Sequence, residues 1–259
     1  MTVARASTDL PAPPWAPQPR GRTGRAADKP QLSREAIVEA AVRIIDAEGI
    51  DALSMRRVAQ EFGTGAASLY AYVANKDELM DLLVDWVMGQ VVDRWHGAEP
   101  TAENWRELLK ESVRLSRDVL VEHRDLAKAF IGRIPFGQNG LQAVELQLSI
   151  LRAGGLPDRI AAYAGDLLGT YLVAEAIEEN MWRSRFPEAG AAQIDEAMGE
   201  IRDYLQSLPV DRFPNVVELA GPMMYQEAEG IDRFDLGLEV ILRGLASFVD
   251  TAAAQGDVR

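Results

Sequence analysis

Cysteine is absent from this 259-residue chain, and histidine occurs only at His96 and His123. The first absence excludes disulfides, thiolate zinc sites and cysteine nucleophiles, and the second leaves little for a histidine-rich metal site. The amino-terminal segment lacks the apolar core of a signal peptide, and no apolar run approaches the length of a membrane span. We therefore expect a cytoplasmic protein with no membrane partner, no metal ion and no other cofactor.

Positive charge is also scarce, and it is concentrated at one end. The formal net charge is −13, from 27 lysines and arginines against 40 aspartates and glutamates. Residues 1–30 nevertheless carry a net +3, residues 31–80 carry −3, and residues 81–259 carry the remaining −13. An anionic partner would therefore be attracted most strongly to the amino-terminal segment.

The distribution of proline and apolar residues divides the chain into three parts. Residues 1–32 hold six of the thirteen prolines and almost no periodic apolar pattern, which predicts a flexible basic and proline-rich arm. Beyond the arm, apolar residues recur at helical spacing nearly everywhere, and alternating strand-like segments are absent. The predicted fold is all-α, with a helix-turn-helix domain at 33–80 and a larger ligand-binding and dimerisation domain at 81–259.

Local signals place three short helices and a longer fourth within residues 33–95. Capping side chains mark the starts and glycines mark the stops: the N-caps are Ser33, Ser54 and Asn75, the stops are Gly49 and Gly63, and the third helix covers 66–73. Glycine at position 63 can adopt the left-handed conformation that a sharp turn requires. Two short helices joined by such a turn indicate a helix-turn-helix motif.

Three cations occupy unfavourable positions in this motif. Lys76 begins the fourth helix, and Arg56 and Arg57 lie in the first turn of the second, where the helix dipole disfavours positive charge. A phosphate at the helix amino end would reverse that preference, and an arginine directed at guanine would supply base specificity. Tyrosines and a lysine on a short helix also suit a plain solvent-exposed surface. The glycine turn and the three cations together favour DNA binding.

These residues also carry a family resemblance. The segment LSMRRVAQEFGTGAASLYAYVANKDELMDLLVD, residues 53–85, resembles the DNA-binding domain of the TetR family of one-component transcriptional repressors. The likeness covers about residues 33–85 and is strongest at Ala59, Gly63, Leu69, Tyr70, Lys76 and Leu79. The resemblance implies that Arg56 reaches a base, that residues 66–68 face bases, and that two tyrosines and a lysine hold phosphates. The candidate DNA contacts are Ser54, Arg56, Arg57, Ala66, Ala67, Ser68, Tyr70, Tyr72 and Lys76.

Direct base readout from the third helix is expected to be thin, because its alanines lack hydrogen-bonding tips. The arm is the candidate source of additional affinity. Its arginines Arg20, Arg22 and Arg25 resemble the flexible arginine arms that enter a minor groove beside a major-groove helix. A plain unstructured tail is the alternative.

The carboxyl-terminal part resembles the drug-binding domain of the tetracycline-repressor branch of the family. The likeness rests on Trp105 and on EHRDLAK, ELQLSILRAGG and LLGTYLVAEAIEE, at 122–128, 145–155 and 167–179. Val92 and Phe130 stand where tetracycline-binding relatives present histidines, which favours a larger aromatic or amphipathic effector over a metal-chelated tetracycline. Core packing is an equally open role for each aromatic. The candidate ligand contacts are Trp86, Trp105, Phe130, Arg133, Tyr163, Tyr171, Glu175, Glu178, Asn180 and Trp182.

The function expected from these features is ligand-responsive repression. The resemblance implies a homodimer, paired through two helices of each chain, that binds a palindromic double-stranded DNA operator and is released by a small molecule. A drug-efflux gene is the expected target. An activator on the same fold and an all-α enzyme acting on a small hydrophobic substrate are the alternatives. The enzyme is disfavoured because no nucleophile–base pair or metal-ligand spacing occurs. Residues 185–230 suit either a helix over the pocket or a dimer-contacting insertion.

Overall fold

The computed structural model of the chain describes residues 32–185, 191–224, 227–228 and 231–256. Residues 1–31 of the predicted arm, with Arg20, Arg22 and Arg25, lie outside the described residues. The helices are α1 (Arg34–Glu48), α2 (Met55–Glu61), α3 (Ala66–Leu69), α4 (Lys76–Arg94), α5 (Trp105–Glu122), α6 (Gln138–Ala153), α7 (Asp158–Arg185), α8 (Ala191–Gln206), α9 (Pro214–Met224) and α10 (Arg233–Gly256).

Short elements complete the described chain. Two 3₁₀ helices cover Ile50–Ala52 and Leu126–Phe130. Two-residue strands, β1 (Glu227–Ala228) and β2 (Ile231–Asp232), pair antiparallel with Glu227 opposite Asp232. The all-α prediction is confirmed, and this small pair, which the apolar pattern did not reveal, is a connection ahead of α10.

The predicted helix starts are confirmed by their capping hydrogen bonds. Ser33 Oγ accepts from the Ala36 N–H at 3.1 Å, and Ser54 Oγ accepts from the Arg57 N–H at 3.1 Å. At α4, Asn75 Oδ1 accepts from the N–H of the residue three positions on at 2.8 Å. Each bond satisfies a backbone donor that would otherwise have no partner in the helix.

The turn between α2 and α3 also follows the prediction, but α3 is shorter than expected. Gly63, in this turn, has a φ of 60°, which lies in the left-handed region where a Cβ is costly. Gly49, which ends α1, also has a positive φ, of 89°. The α-helix ends at Leu69 and not at Val73, although the N–H of Val73 still donates to the carbonyl of Leu69 at 2.9 Å. The chain has to become extended at Asn75 to cap α4, which leaves room for only one regular turn.

One continuous hydrophobic core joins the two predicted domains, because α4 passes through both. In the amino-terminal part Ile37, Ile44 and Leu69 are fully buried. Further along α4, Val87 belongs to the same cluster as Leu109 of α5. A displacement of α4 relative to either part therefore disturbs packing in both.

The helices α7 and α10 bury one face and expose another that is also apolar. Leu167 of α7 and Val240 of α10 are 50% and 64% exposed. Among the described helices, only α7 contains a stretch, Asp158–Ser184, that is long and apolar enough to cross a membrane. Its most apolar 18 residues have a mean hydropathy of 1.2, and 28% of them are buried. Helices of soluble proteins also pass this test, so it is weak evidence for a span.

Residues 191–224 form two helices, α8 and α9, that pack against each other. Both expose apolar side chains, among them Tyr204, Leu219 and Met223. In its described part this segment therefore contains two packed helices and not one, and its two expected roles, a cover over the pocket or a dimer-contacting insertion, stay predictions.

Candidate nucleic-acid interface and effector region

The helix-turn-helix exposes the side chains that the sequence assigned to DNA. Tyr70 is 52% exposed, Tyr72, Arg56 and Lys76 are also exposed, and Leu69 points into the core. The remaining candidates on this surface have small side chains that are exposed or half-buried: Ser54, Ala66, Ala67 and Ser68. This combination leaves short side chains where a groove wall would approach and longer polar side chains beside them.

Arg57 differs from the other predicted cations because carboxylates of the same chain already hold it. Its Nε and Nη2 donate to Glu48 Oε1 at 3.0 and 2.7 Å, and its Nη1 donates to Glu61 Oε1 at 2.6 Å. The hydrogen bonds with Glu48, which has the larger effect, and with Glu61 raise the pKa of Arg57. The hydrogen bond from Arg57 in turn lowers the pKa of Glu48. Among the described residues Arg56 and Lys76 have no such partner. The interpretation of Arg57 as a cation awaiting a phosphate needs this correction.

Arg34, which sequence reasoning missed, ties the start of α1 to the end of the motif. Its Nε donates to the carbonyl of Tyr72 at 2.8 Å, and its Nη2 pairs with Glu78 in the first turn of α4. The only sequence signal was another cation at a helix amino end, directly after the N-cap Ser33. Such a cation is therefore not evidence of a phosphate contact unless nearby carboxylates are excluded.

Two of the predicted effector residues, Trp86 and Asn180, contact His123, which directly follows α5. The Trp86 and His123 rings meet edge to face with centroids 5.2 Å apart. Asn180, which is buried, donates from Nδ2 to the carbonyl of His123 at 3.3 Å. Phe130 is half-buried at the end of the second 3₁₀ helix. The contacts of His123 therefore connect α4 and α7 through the residue that follows α5.

A second group lies where α5, α7 and α10 meet. Tyr171 stacks on Phe234 with centroids 5.5 Å apart, and its hydroxyl donates to the Phe234 carbonyl at 2.9 Å. The Cζ atom of the Arg117 guanidinium lies 4.9 Å from the centroid of the Phe234 ring. Phe234 and Arg117 were not predicted. A phenylalanine within a periodic apolar stripe gives no signal that separates it from the core.

Glu175 and Glu178, which were expected to orient a ligand, pair with Arg233 at the start of α10. The Arg233 Nη2 lies 3.7 Å from Glu175 Oε1 and 2.9 Å from Glu178 Oε2. The bond with Glu178 raises the pKa of Arg233. An effector would have to displace Arg233 to reach these carboxylates, so they act first as anchors of α10.

The structure does not bring all ten predicted effector residues together. Trp105 is 3% exposed and packs against Gly154, where an added Cβ would lie 2.5 Å from the indole, so it is a core residue. Tyr163 is 66% exposed on the outer face of α7. Arg133 contacts α4, and Trp182 is half-buried near the end of α7. Helical periodicity gave the right helices but could not show which other helices pack against each aromatic side chain.

A groove of about 460 Å³ lies between α5 and α10 and contains none of these ten residues. Arg114 of α5 donates to both carboxylate oxygens of Asp235, at 2.8 and 2.6 Å, and lowers the pKa of that aspartate. Charged side chains on the two sides of this groove therefore pair with each other, as Arg114 does with Asp235. Across the described residues no cluster of three or more histidine, aspartate or glutamate side chains could hold a metal ion.

Fold and exposed surface together define a helix-turn-helix DNA-binding regulator joined to a helical effector domain. Residues 37–83 match the model of bacterial regulatory proteins of the tetR family, and residues 96–249 match the tetracyclin repressor-like carboxyl-terminal domain. The chain belongs to the TetR family. It is a transcriptional regulator of that family, and its relatives are regulators and not enzymes.

Two relatives from Streptomyces are similar over most of their length. The repressor DrrR1 of Streptomyces coeruleorubidus is 31% identical over 88% of this chain and 83% of its own. The apo structure of ActR from Streptomyces coelicolor is 44% identical, with a TM-score of 0.72 over 85% of this chain and 98% of that one. The ActR structure in complex with actinorhodin is 45% identical, with a TM-score of 0.73 over 84% and 97%.

Proposed function

We propose that the chain is a homodimeric cytoplasmic repressor that binds a palindromic operator and leaves it when an aromatic small molecule binds. The observation that carries the DNA-binding half is that Arg56 and Lys76, on the exposed surface of a helix-turn-helix, have no ion-pair partner in the part of the chain that the structure describes. Arg56 is the candidate base contact. Lys76 lies at the amino end of α4, where free N–H groups and its ammonium would bind one phosphate together.

Dimerisation is supported by the outward faces of α7 and α10. Leu167, Leu236 and Val240 expose apolar surface on the two helices that close the larger domain. A twofold axis through these helices would bury this surface twice, once on each protomer. It would also present two recognition surfaces to half-sites about 34–36 Å apart, or a multiple of that spacing.

An aromatic effector is supported by the aromatic side chains Trp86 of α4 and Phe130 of the second 3₁₀ helix, and by the solved complex of ActR with actinorhodin. We place the effector near Trp86, Phe130 and Asn180, where α4 meets α7 and the segment after α5. A molecule bound there contacts α4 directly, so α4 can act as the lever between the two parts. The effector must bind the DNA-incompetent arrangement more tightly, because equal affinity for both arrangements shifts nothing. A drug-efflux gene is the proposed target.

The test begins with selection of duplexes from a randomised pool by the wild-type protein. We expect a palindrome to be enriched, and its affinity to fall with salt with a slope of about −0.9 for each phosphate neutralised. Actinorhodin is the first effector to add, and it should release the duplex at micromolar concentration. A reporter gene behind the palindrome should be repressed; stimulation would contradict the repressor assignment. A chain that selects no sequence at any salt concentration would overturn the whole proposal.

The arm gives a separate prediction. Deletion of residues 2–25 removes Arg20, Arg22 and Arg25 and is expected to weaken operator binding, because minor-groove and phosphate contacts are lost. The slope of log K against log salt should become shallower by about 0.9 for each phosphate contact removed. Deletion of residues 2–19 is the matched control, since it removes one arginine and one aspartate and keeps the three arginines. Equal affinity of both truncated proteins at moderate salt would refute a role for the arm.

A further inference from the structure

Three large apolar side chains are exposed between the second 3₁₀ helix and α6. Ile131, Ile134 and Phe136, here termed the apolar patch, are 64%, 68% and 50% exposed. The Arg133 N–H donates to the Phe130 carbonyl at 3.1 Å, and the Phe136 N–H donates to the Ile134 carbonyl at 2.9 Å, so the segment is folded into turns. Single exposed apolar residues are ordinary, but a cluster of large ones often marks a surface that another segment covers.

The apolar patch lies near the point at which the described chain begins. Arg133, between Ile131 and Ile134 in the chain, donates from Nη2 to Asp77 Oδ1 at 3.1 Å. Arg34, two residues after the first described residue, pairs with Glu78, the next residue of α4. Only two arginine side chains and adjacent residues of one helix turn therefore separate the end of the arm from the segment that carries the patch.

The amino ends of α1 and α4 carry exposed carboxylates. The side chains of Asp77 and Asp81 are 85% and 63% exposed, although both contact Arg133. Glu35 and Glu39 of α1 are exposed as well. One shared guanidinium cannot neutralise both aspartates, so this surface keeps a negative charge. A basic segment is attracted to such a surface.

The arm has the composition that fits this surface. It contains Trp15 within PAPPWAPQP, followed by Arg20, Arg22 and Arg25. Proline-rich segments bind apolar and aromatic surfaces well because they lose little conformational entropy on binding. The order along the arm, with the apolar part first and the basic part nearer α1, matches an apolar patch that is reached past a negatively charged surface.

The arm is also long enough to reach the patch of its own chain. Trp15 precedes Leu32 by 17 residues, a length that spans at most about 60 Å. A small domain is only about 30 Å across. A short flexible tether gives an effective concentration of about 1 mM, so a contact with an intrinsic Kd of about 0.1 mM would be closed in about nine of ten molecules.

We propose that, without DNA, the arm docks on its own chain, with Trp15 on the apolar patch and its arginines against the carboxylates of α1 and α4. The operator then competes with the protein's own surface for Arg20, Arg22 and Arg25. With nine of ten arms docked, the contribution of the arm to operator affinity is lowered about tenfold. The competition rests on the proposed function, whereas the docking itself does not.

Fluorine NMR of the full chain labelled with 5-fluorotryptophan tests the docking without DNA. The chain has five tryptophans, and Trp15→Phe identifies the resonance of Trp15. A docked indole tumbles with the folded protein and gives a broad resonance, so we expect a broad Trp15 signal in the wild type. The signal should become narrow when Ile131→Ser and Ile134→Ser are combined. Val210→Ser, at a position 63% exposed between α8 and α9, is the control and should leave the signal broad.

Operator binding tests the competition. Trp15→Ser and the double patch variant should each bind the selected duplex about 3- to 10-fold more tightly than the wild type, because docking is lost while the three arginines remain. All three substitutions together should have no further effect, since both variants remove the same contact. Added duplex should also narrow the Trp15 resonance of the wild type. The two truncated proteins described above both lack Trp15, so their difference still reports the arginines alone.

The outcomes separate this inference from the proposed function. A narrow Trp15 resonance in the wild type without DNA would overturn the docking. A broad resonance that the double patch variant leaves unchanged would also overturn it, because the arm would then bind elsewhere. If that variant instead alters the oligomeric state or effector binding, the patch belongs to a second copy of the chain or to the effector. If Trp15 is docked as expected but the wild type selects no duplex, the docking stands and the proposed function fails.

Discussion

Replacing Arg56 by alanine is expected to lower affinity for the selected operator about 5- to 150-fold, while binding to random duplex changes little. An arginine that bonds a guanine edge contributes roughly 1–3 kcal/mol of discrimination against other bases. Arg56 is exposed in the first turn of α2 and has no ion-pair partner among the described residues. Repeating the duplex selection with the variant should show relaxed preference at one position in each half-site.

Two neighbouring cations provide the comparison. Lys76→Ala should weaken binding to all duplexes alike and reduce the salt slope by about 0.9, as the loss of one phosphate contact requires. Arg57→Ala is the matched control on the same helix, because its guanidinium is already held by Glu48 and Glu61. Its salt slope should equal that of the wild type. If Arg57→Ala relaxes specificity and Arg56→Ala does not, the assignment of the two arginines is reversed.

The amino-terminal helices could be predicted because their boundaries are decided locally. Ser33, Ser54 and Asn75 each accept a hydrogen bond from a backbone N–H three residues on, so a window of a few residues contains the whole interaction. The positive φ of Gly63 is equally local. The length of α3 was overestimated because its end depends on the extended backbone at the next cap, which periodicity does not report.

Charge pairing was harder to foresee, since it depends on tertiary contacts. Arg34 and Glu78 are 44 positions apart, and Arg133 and Asp81 are 52 apart. An acidic face on α4 is visible in the sequence at Asp77, Asp81 and Asp85, but a solvated face has the same spacing. Only the fold shows that the turn before α6 occupies it.

The effector region was predicted least well because the interior of a helical domain uses the same residue types as a binding pocket. Trp105 lies in an apolar stripe as regular as that of Trp86, yet the first packs on Gly154 and the second contacts His123. Core and pocket differ in which helices converge at each depth of the domain. That information is absent from the period of a single helix.

The largest expected effect is loss of the proposed dimer through charges placed on the outer faces of α7 and α10. Leu167→Asp and Val240→Asp substitute side chains that are 50% and 64% exposed in one chain, so the isolated fold should tolerate them. In a twofold interface each substitution occurs twice, and burial of an unpaired carboxylate costs several kcal/mol. Sedimentation equilibrium should find the wild type dimeric, as proposed, and the variants monomeric at the same concentration.

Loss of the dimer should then reduce operator affinity by about 10²- to 10⁴-fold, because the second half-site is no longer bound intramolecularly. Val144→Asp, on the exposed side of α6, is the control for adding a carboxylate to an apolar surface position and should remain dimeric. Binding to a single half-site should be similar in all these proteins. A Val240→Asp protein that stays dimeric, or a monomeric one that binds the full palindrome as tightly as the wild type, would show that pairing occurs elsewhere or is not needed for operator recognition.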